Sequence, residues 1–166
     1  HPAVVKALID KGATGKTEAL MTAVYRNNVE VVKTVLDSGG IPAQSLSLAL
    51  GTAEQQKYTE VAEALKRAGA VPPPKADFEV DAATLATYAG TYRPVQGNDF
   101  KFVIKDGKLT GGPVGQDPLT LGAIDKTTFR PGEIIAVTIT FNVEGGRVTG
   151  FTLKQGETNR VYKKIE

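Results

Sequence analysis

Three stretches of this chain repeat one another. They are Val4-Val5-Lys6-Ala7-Leu8-Ile9-Asp10-Lys11-Gly12-Ala13, Val31-Val32-Lys33-Thr34-Val35-Leu36-Asp37-Ser38-Gly39-Gly40 and Val61-Ala62-Glu63-Ala64-Leu65-Lys66-Arg67-Ala68-Gly69-Ala70, at intervals of 27 and 30 residues. Self-similarity at such a period marks a stacked array, in which one unit cannot bury its apolar stripe without a neighbour. Apolar residues fall three and four apart within each copy, as with Val31, Val35 and Val32, Leu36, so each copy is an amphipathic helix. The closing glycine suits the left-handed turn that ends a helix. A second helical stretch precedes the later copies, at about Ala19 to Arg26 and Ser47 to Lys57, with Leu20 and Ala23 matched by Leu50 and Ala53. The expected unit is a helix pair, and about two and a half pairs are present. His1 to Ala13 supplies only the second helix of a pair, so an array continuing upstream is expected.

Val71-Pro72-Pro73-Pro74-Lys75 stops the helical pattern, because consecutive prolines favour an extended, stiff segment. Residues 72–80 are therefore expected to link a helical domain, 1–71, to a second domain, 81–166. Beyond the prolines the period becomes two. Asp81 is placed to cap one short helix over Ala82 to Tyr88. Phe100, Phe102 and Ile104 then alternate with Lys101, Val103 and Lys105, and Ile135, Val137, Ile139, Phe141 and Val143 alternate with Ala136, Thr138, Thr140 and Asn142. Such alternation predicts half-buried antiparallel strands, with Asp106-Gly107, Gly111-Gly112 and Gly145-Gly146 as turns between them. About eight strands are expected, at 88–94, 99–105, 108–112, 118–123, 127–130, 134–143, 147–155 and 158–165. Short connections favour an up-and-down meander, and closure into a barrel would remove its exposed edges. The fold class is α+β in two domains.

Charge and composition narrow the function. Lys and Arg outnumber Asp and Glu by only 8 to 7 in residues 1–74 and by 12 to 11 in residues 75–166, so neither half offers nucleic acid an electrostatic footprint. No run approaches the roughly 18 apolar residues of a membrane helix. With no cysteine and one histidine, His1, neither a thiol nucleophile, a histidine triad nor a thiolate metal site can be assembled. Absence of cysteine suits both the cytosol and an export route. Gly15-Lys16-Thr17 resembles the end of a phosphate-binding loop, but Asp10 stands where that pattern needs its first glycine, which leaves an inter-repeat turn. No catalytic residue, metal or cofactor is expected.

The first 71 residues resemble the ankyrin repeat family, most strongly in the helix ending Gly-Ala. Of that family's Thr-Pro-Leu-His turn only the leucine is kept, in Glu18-Ala19-Leu20-Met21 and Leu48-Ala49-Leu50-Gly51. Against a usual repeat of 33 residues, the units lack 6 and 3 in the segment that carries the family's projecting finger. Residues 81–166 resemble the small lipocalin-like domain found at the C-terminus of many bacterial serine hydrolases of the β-lactamase and penicillin-binding kind. The likeness rests on Leu85-Ala86-Thr87-Tyr88-Ala89-Gly90-Thr91-Tyr92, Asp106-Gly107-Lys108-Leu109, Pro118-Leu119-Thr120-Leu121, and Phe141 through Gly145-Gly146-Arg147-Val148-Thr149-Gly150-Phe151. It implies a bacterial source, export to the periplasm or beyond, and a domain that accompanies catalysis without performing it.

Two functional expectations follow. The helical face would recognise another protein through Met21, Tyr25 and Tyr58, residue types that anchor interfaces. Alternatively the barrel interior, lined by Phe100, Phe102, Ile104, Leu119, Leu121, Val137, Ile139 and Phe141, would hold a small apolar ligand, since eight-stranded barrels are either filled by side chains or hold one small molecule.

Overall fold

The computed structural model describes residues 2–132, 134–156 and 158–165. The chain divides into two compact units, His1–Pro73 and Pro74–Glu166. No helix among the described residues is long and apolar enough to cross a membrane.

The first unit contains α1 (Pro2–Asp10), α2 (Lys16–Tyr25), α3 (Val29–Asp37), α4 (Ala43–Gln55) and α5 (Thr59–Arg67). The repeated helices stack on one another, α1 on α3 and α3 on α5, while α2 stacks on α4. Their stripes meet in one core in which Leu20, Val24, Val32, Val35, Leu50 and Leu65 are sealed from solvent. Equivalent positions share backbone geometry as well as sequence. Asn27 and Lys57, thirty residues apart, both take left-handed φ, at 50° and 61°, and each leads into the residue that opens the next helix, Asn28 or Tyr58. Asn28 Oδ1 accepts from Val31 N–H at 3.1 Å and so caps α3. Two helices begin earlier than the sequence pattern places them: α2 at Lys16, behind left-handed Gly15, and α4 at Ala43, behind extended Pro42. The Lys16 amine donates to the carbonyl oxygens of Ser38 at 3.1 Å and Gly39 at 3.0 Å. It therefore serves the C-terminal end of α3, where a cation favours the helix dipole, and Gly15-Lys16-Thr17 is the cap and first two residues of α2.

The second unit opens with α6 (Ala82–Tyr88), capped by Asp81, whose carboxylate accepts from Thr84 N–H at 2.8 Å and from Thr84 Oγ1 at 2.7 Å. Eight strands follow: β1 (Gly90–Pro94), β2 (Phe100–Lys105), β3 (Lys108–Pro113), β4 (Leu119–Ala123), β5 (Thr128–Pro131), β6 (Val137–Glu144), β7 (Arg147–Gln155) and β8 (Thr158–Lys164). Each pairs antiparallel with its sequence neighbour, and β8 returns to β1 through Tyr92↔Lys164 and Arg93↔Lys163, closing the barrel. Two strands start later than expected by two residues or more. Tyr88 completes α6, so β1 begins at Gly90. Ile134 N–H bonds to the Pro131 carbonyl and Val137 N–H to that of Ile134, a turn that delays β6 to Val137.

Aromatic rings fill the barrel. Tyr88 stacks on Phe141 with centroids 4.2 Å apart and Phe151 on Tyr162 at 4.4 Å, while Tyr92 meets Phe102 and Phe151 edge-on at 5.4 and 5.2 Å. Edge-to-face pairs at these spacings each contribute about 0.5–1.5 kcal/mol beyond their burial. Phe102 lies over its cross-strand partner Gly111, where any Cβ would overlap the ring.

Candidate functional site

The ladder between β3 and β4 is short. It holds Thr110↔Thr120 and Gly111↔Leu119; one step further the register would set Leu109 against Leu121, but the pairing has ended. Into this seam comes a strap formed by residues 75–80. Phe78 N–H donates to the Ala123 carbonyl oxygen at 2.9 Å in an antiparallel bridge. Close approach depends on Gly122, where a Cβ would stand 2.6 Å from the Ala76 carbonyl oxygen. Residues 75–80, two thirds of the segment expected as a linker, thus lie against the barrel.

Between strap and seam lies an open cleft of about 820 Å³. The strap, Gly107 to Leu109, Thr120 to Ala123, Leu85 of α6 and Phe129 line it; among its apolar residues Leu85, Leu109, Leu121 and Phe129 are buried and Phe78 is half-exposed. Its charged residues are Lys75, Lys108 and Arg130 against Asp77 and Glu79. Arg130 stands directly across from Gly122 in the β4–β5 ladder. Its Nε is enclosed without a hydrogen-bond partner.

The expected barrel-interior residues separate into two groups. Phe100, Phe102, Leu121, Ile139 and Phe141 are buried in the core. Ile104 and Leu119 follow the inward alternation but lie at strand ends, 42% and 45% exposed, and Val137 at the start of β6 is half-buried. These three do not line a sealed interior. Nor is the interior a void, because Tyr88, Tyr92, Phe129, Phe151 and Tyr162 occupy it. The sequence reading missed those five, and it missed the strap, although Ala76-Asp77-Phe78-Glu79-Val80 alternates apolar with acidic residues as a strand does.

Of the expected helical-face residues, Met21 and Tyr58 are partly buried against the helical core. Tyr25, at the end of α2, is 62% exposed.

Catalytic chemistry finds little material. No group of three or more His, Cys, Asp or Glu side chains among the described residues is arranged to hold a metal ion, and His1 lies outside the described residues. The carboxylates with shifted acidity are occupied by local bonds. Hydrogen bonds from Thr84 hold Asp81 below its usual range, and the Arg93 guanidinium does the same for Asp99, across bonds of 2.9 and 2.8 Å. Partial burial pushes Asp125 upward, but hydrogen bonds from Thr127 and Thr128 outweigh it and leave the group lowered.

No protein-family model matches this chain, and no curated protein matches it. What is established is the architecture: stacked helices followed by a closed eight-stranded antiparallel barrel.

Proposed function

We propose that the barrel unit is a non-catalytic binding module for a small apolar ligand, held in the cleft between the strap and the β3–β4 seam. One observation carries this reading: the barrel interior is already filled by its own rings, while a cleft of about 820 Å³, lined by the half-exposed Phe78 together with Val80 and Leu85, stays open beside it. That volume lies within the range of about 300–1,000 Å³ common to small-molecule sites. With no cysteine and one histidine, His1, the chain lacks the residues of a thiol nucleophile or a histidine triad. A bacterial, exported setting suits such a carrier and rests on the lipocalin-like resemblance of residues 81–166. In the same way, the helical unit is read as an ankyrin-like array, with Tyr25 the one member of its expected recognition face that stands well exposed.

Titration with the neutral fluorophore N-phenyl-1-naphthylamine tests the reading. Saturable enhancement is expected, and Phe78→Ala, at a half-exposed cleft position, should weaken it by about 1 kcal/mol, near fivefold in Kd. No enhancement, or enhancement unchanged by Phe78→Ala in a folded variant, contradicts it.

A further inference from the structure

The geometry points to a ligand with an anionic head: we infer that the cleft takes a single-chain amphiphile bearing one carboxylate, and that Arg130 receives that group. This rests on the binding reading above.

Arg130 follows Phe129 on β5, and strand alternation turns the buried Phe129 to the interior and Arg130 to the opposite face, the one the strap covers at Gly122. The Arg130 side chain shares a face with Gly122, its cross-strand partner, and glycine offers it no side-chain acceptor. None of the ion pairs among the described residues includes Arg130, and its enclosed Nε has no hydrogen-bond partner. A cationic donor kept from water without an acceptor is unfavourable, and a ligand carboxylate is the group that relieves it, because guanidinium and carboxylate match in a planar, two-bond geometry. Rotation of the guanidinium toward the cleft would bring Nε and one terminal nitrogen to the two carboxylate oxygens.

The surrounding charges select the head group. Three cations, Lys75, Lys108 and Arg130, line the cleft against the two strap acids, Asp77 and Glu79. One surplus positive charge favours a monoanion over a neutral or cationic head. The apolar remainder of the ligand would then lie along the strap at Phe78 and Val80.

Dodecanoate and dodecanol share a chain and differ in the head, so their binding to the full chain separates the two levels of the argument. Displacement of N-phenyl-1-naphthylamine gives each affinity. The expected result is a preference for dodecanoate of about tenfold, lost in Arg130→Gln with dodecanol affinity unchanged, and kept in Lys163→Gln, a β8 position outside the cleft lining. Equal affinity for both compounds in the native chain, or a preference that survives Arg130→Gln, overturns the head-group assignment and leaves the cleft reading standing. If neither compound nor the fluorophore binds, both fall.

Discussion

The Tyr92 hydroxyl donates to the Tyr88 carbonyl oxygen at 2.8 Å, tying β1 to the last residue of α6. Tyr88 in turn donates its own hydroxyl to the Lys126 carbonyl at 2.9 Å, so two tyrosines connect the helix, the first strand and the β4–β5 turn. Tyr92 is sealed from solvent. Tyr92→Phe removes the donor and leaves the rest of the ring in place, so the expected loss is about 1–3 kcal/mol in denaturant unfolding of the barrel. Burial, with a smaller contribution from Tyr88, raises the Tyr92 phenol above its usual 10.0. The unfolded phenol ionises first, so this contribution to stability is complete below about pH 10 and is lost as pH rises beyond it. Alkaline unfolding followed by circular dichroism should fall less steeply in Tyr92→Phe than in the native chain.

Acid should act through Asp81. Hydrogen bonds from Thr84 hold its folded pKa below the ordinary 3.8, so its contribution is present above that value and fades as pH falls through the folded pKa. Asp81→Ala should lower barrel stability at neutral pH and leave the mutant and native chains nearly equal at the acid end of a pH-resolved unfolding series.

Gly111 and Phe102 form a matched pair, the ring covering the position a side chain would need. Gly111→Ala should cost about 1–3 kcal/mol through overpacking. Combining it with Phe102→Leu should cost less than the sum of the two single changes, because residues in contact couple. A double-mutant cycle by urea unfolding reads the difference.

Lys57 sits at φ 61° where the preceding repeat places Asn27 at φ 50°. Asparagine tolerates the left-handed region better than lysine, so Lys57→Asn should stabilise the helical unit by up to about 1 kcal/mol. Thermal unfolding followed by helical dichroism measures it.

Much of the fold was legible because the two periods are distinct. Val31 to Leu36 repeats on the helical spacing, and Phe100 and Phe102 alternate against Lys101, which is enough to separate a stacked array from a strand meander. The strand ends were less legible. Tyr88 carries both helical and strand signals, and only its contacts with Phe129 and Phe141 decide that α6 runs to it. The site was mostly hidden. Phe78 bridges Ala123 and Arg130 pairs with Gly122, neighbouring residues of β4, and that placement depends on long-range register, which no local pattern encodes. Three prolines made residues 72–80 read as a spacer, while the alternation over Ala76 to Val80 held the signal of the strap. Met21 and Tyr58 are anchors by residue type, and that both pack partly buried against the helical core is not legible locally, since composition does not reveal which face of a helix is covered.

The most direct measurement of the central claim is a methyl-resolved NMR titration of the full chain with dodecanoate. Saturable shifts at Leu85, Leu109 and Leu121, with Leu20, Leu50 and Leu65 of the helical core unmoved, are the expected result. Shifts confined to the helical leucines, or none at all, would contradict a ligand site in the cleft.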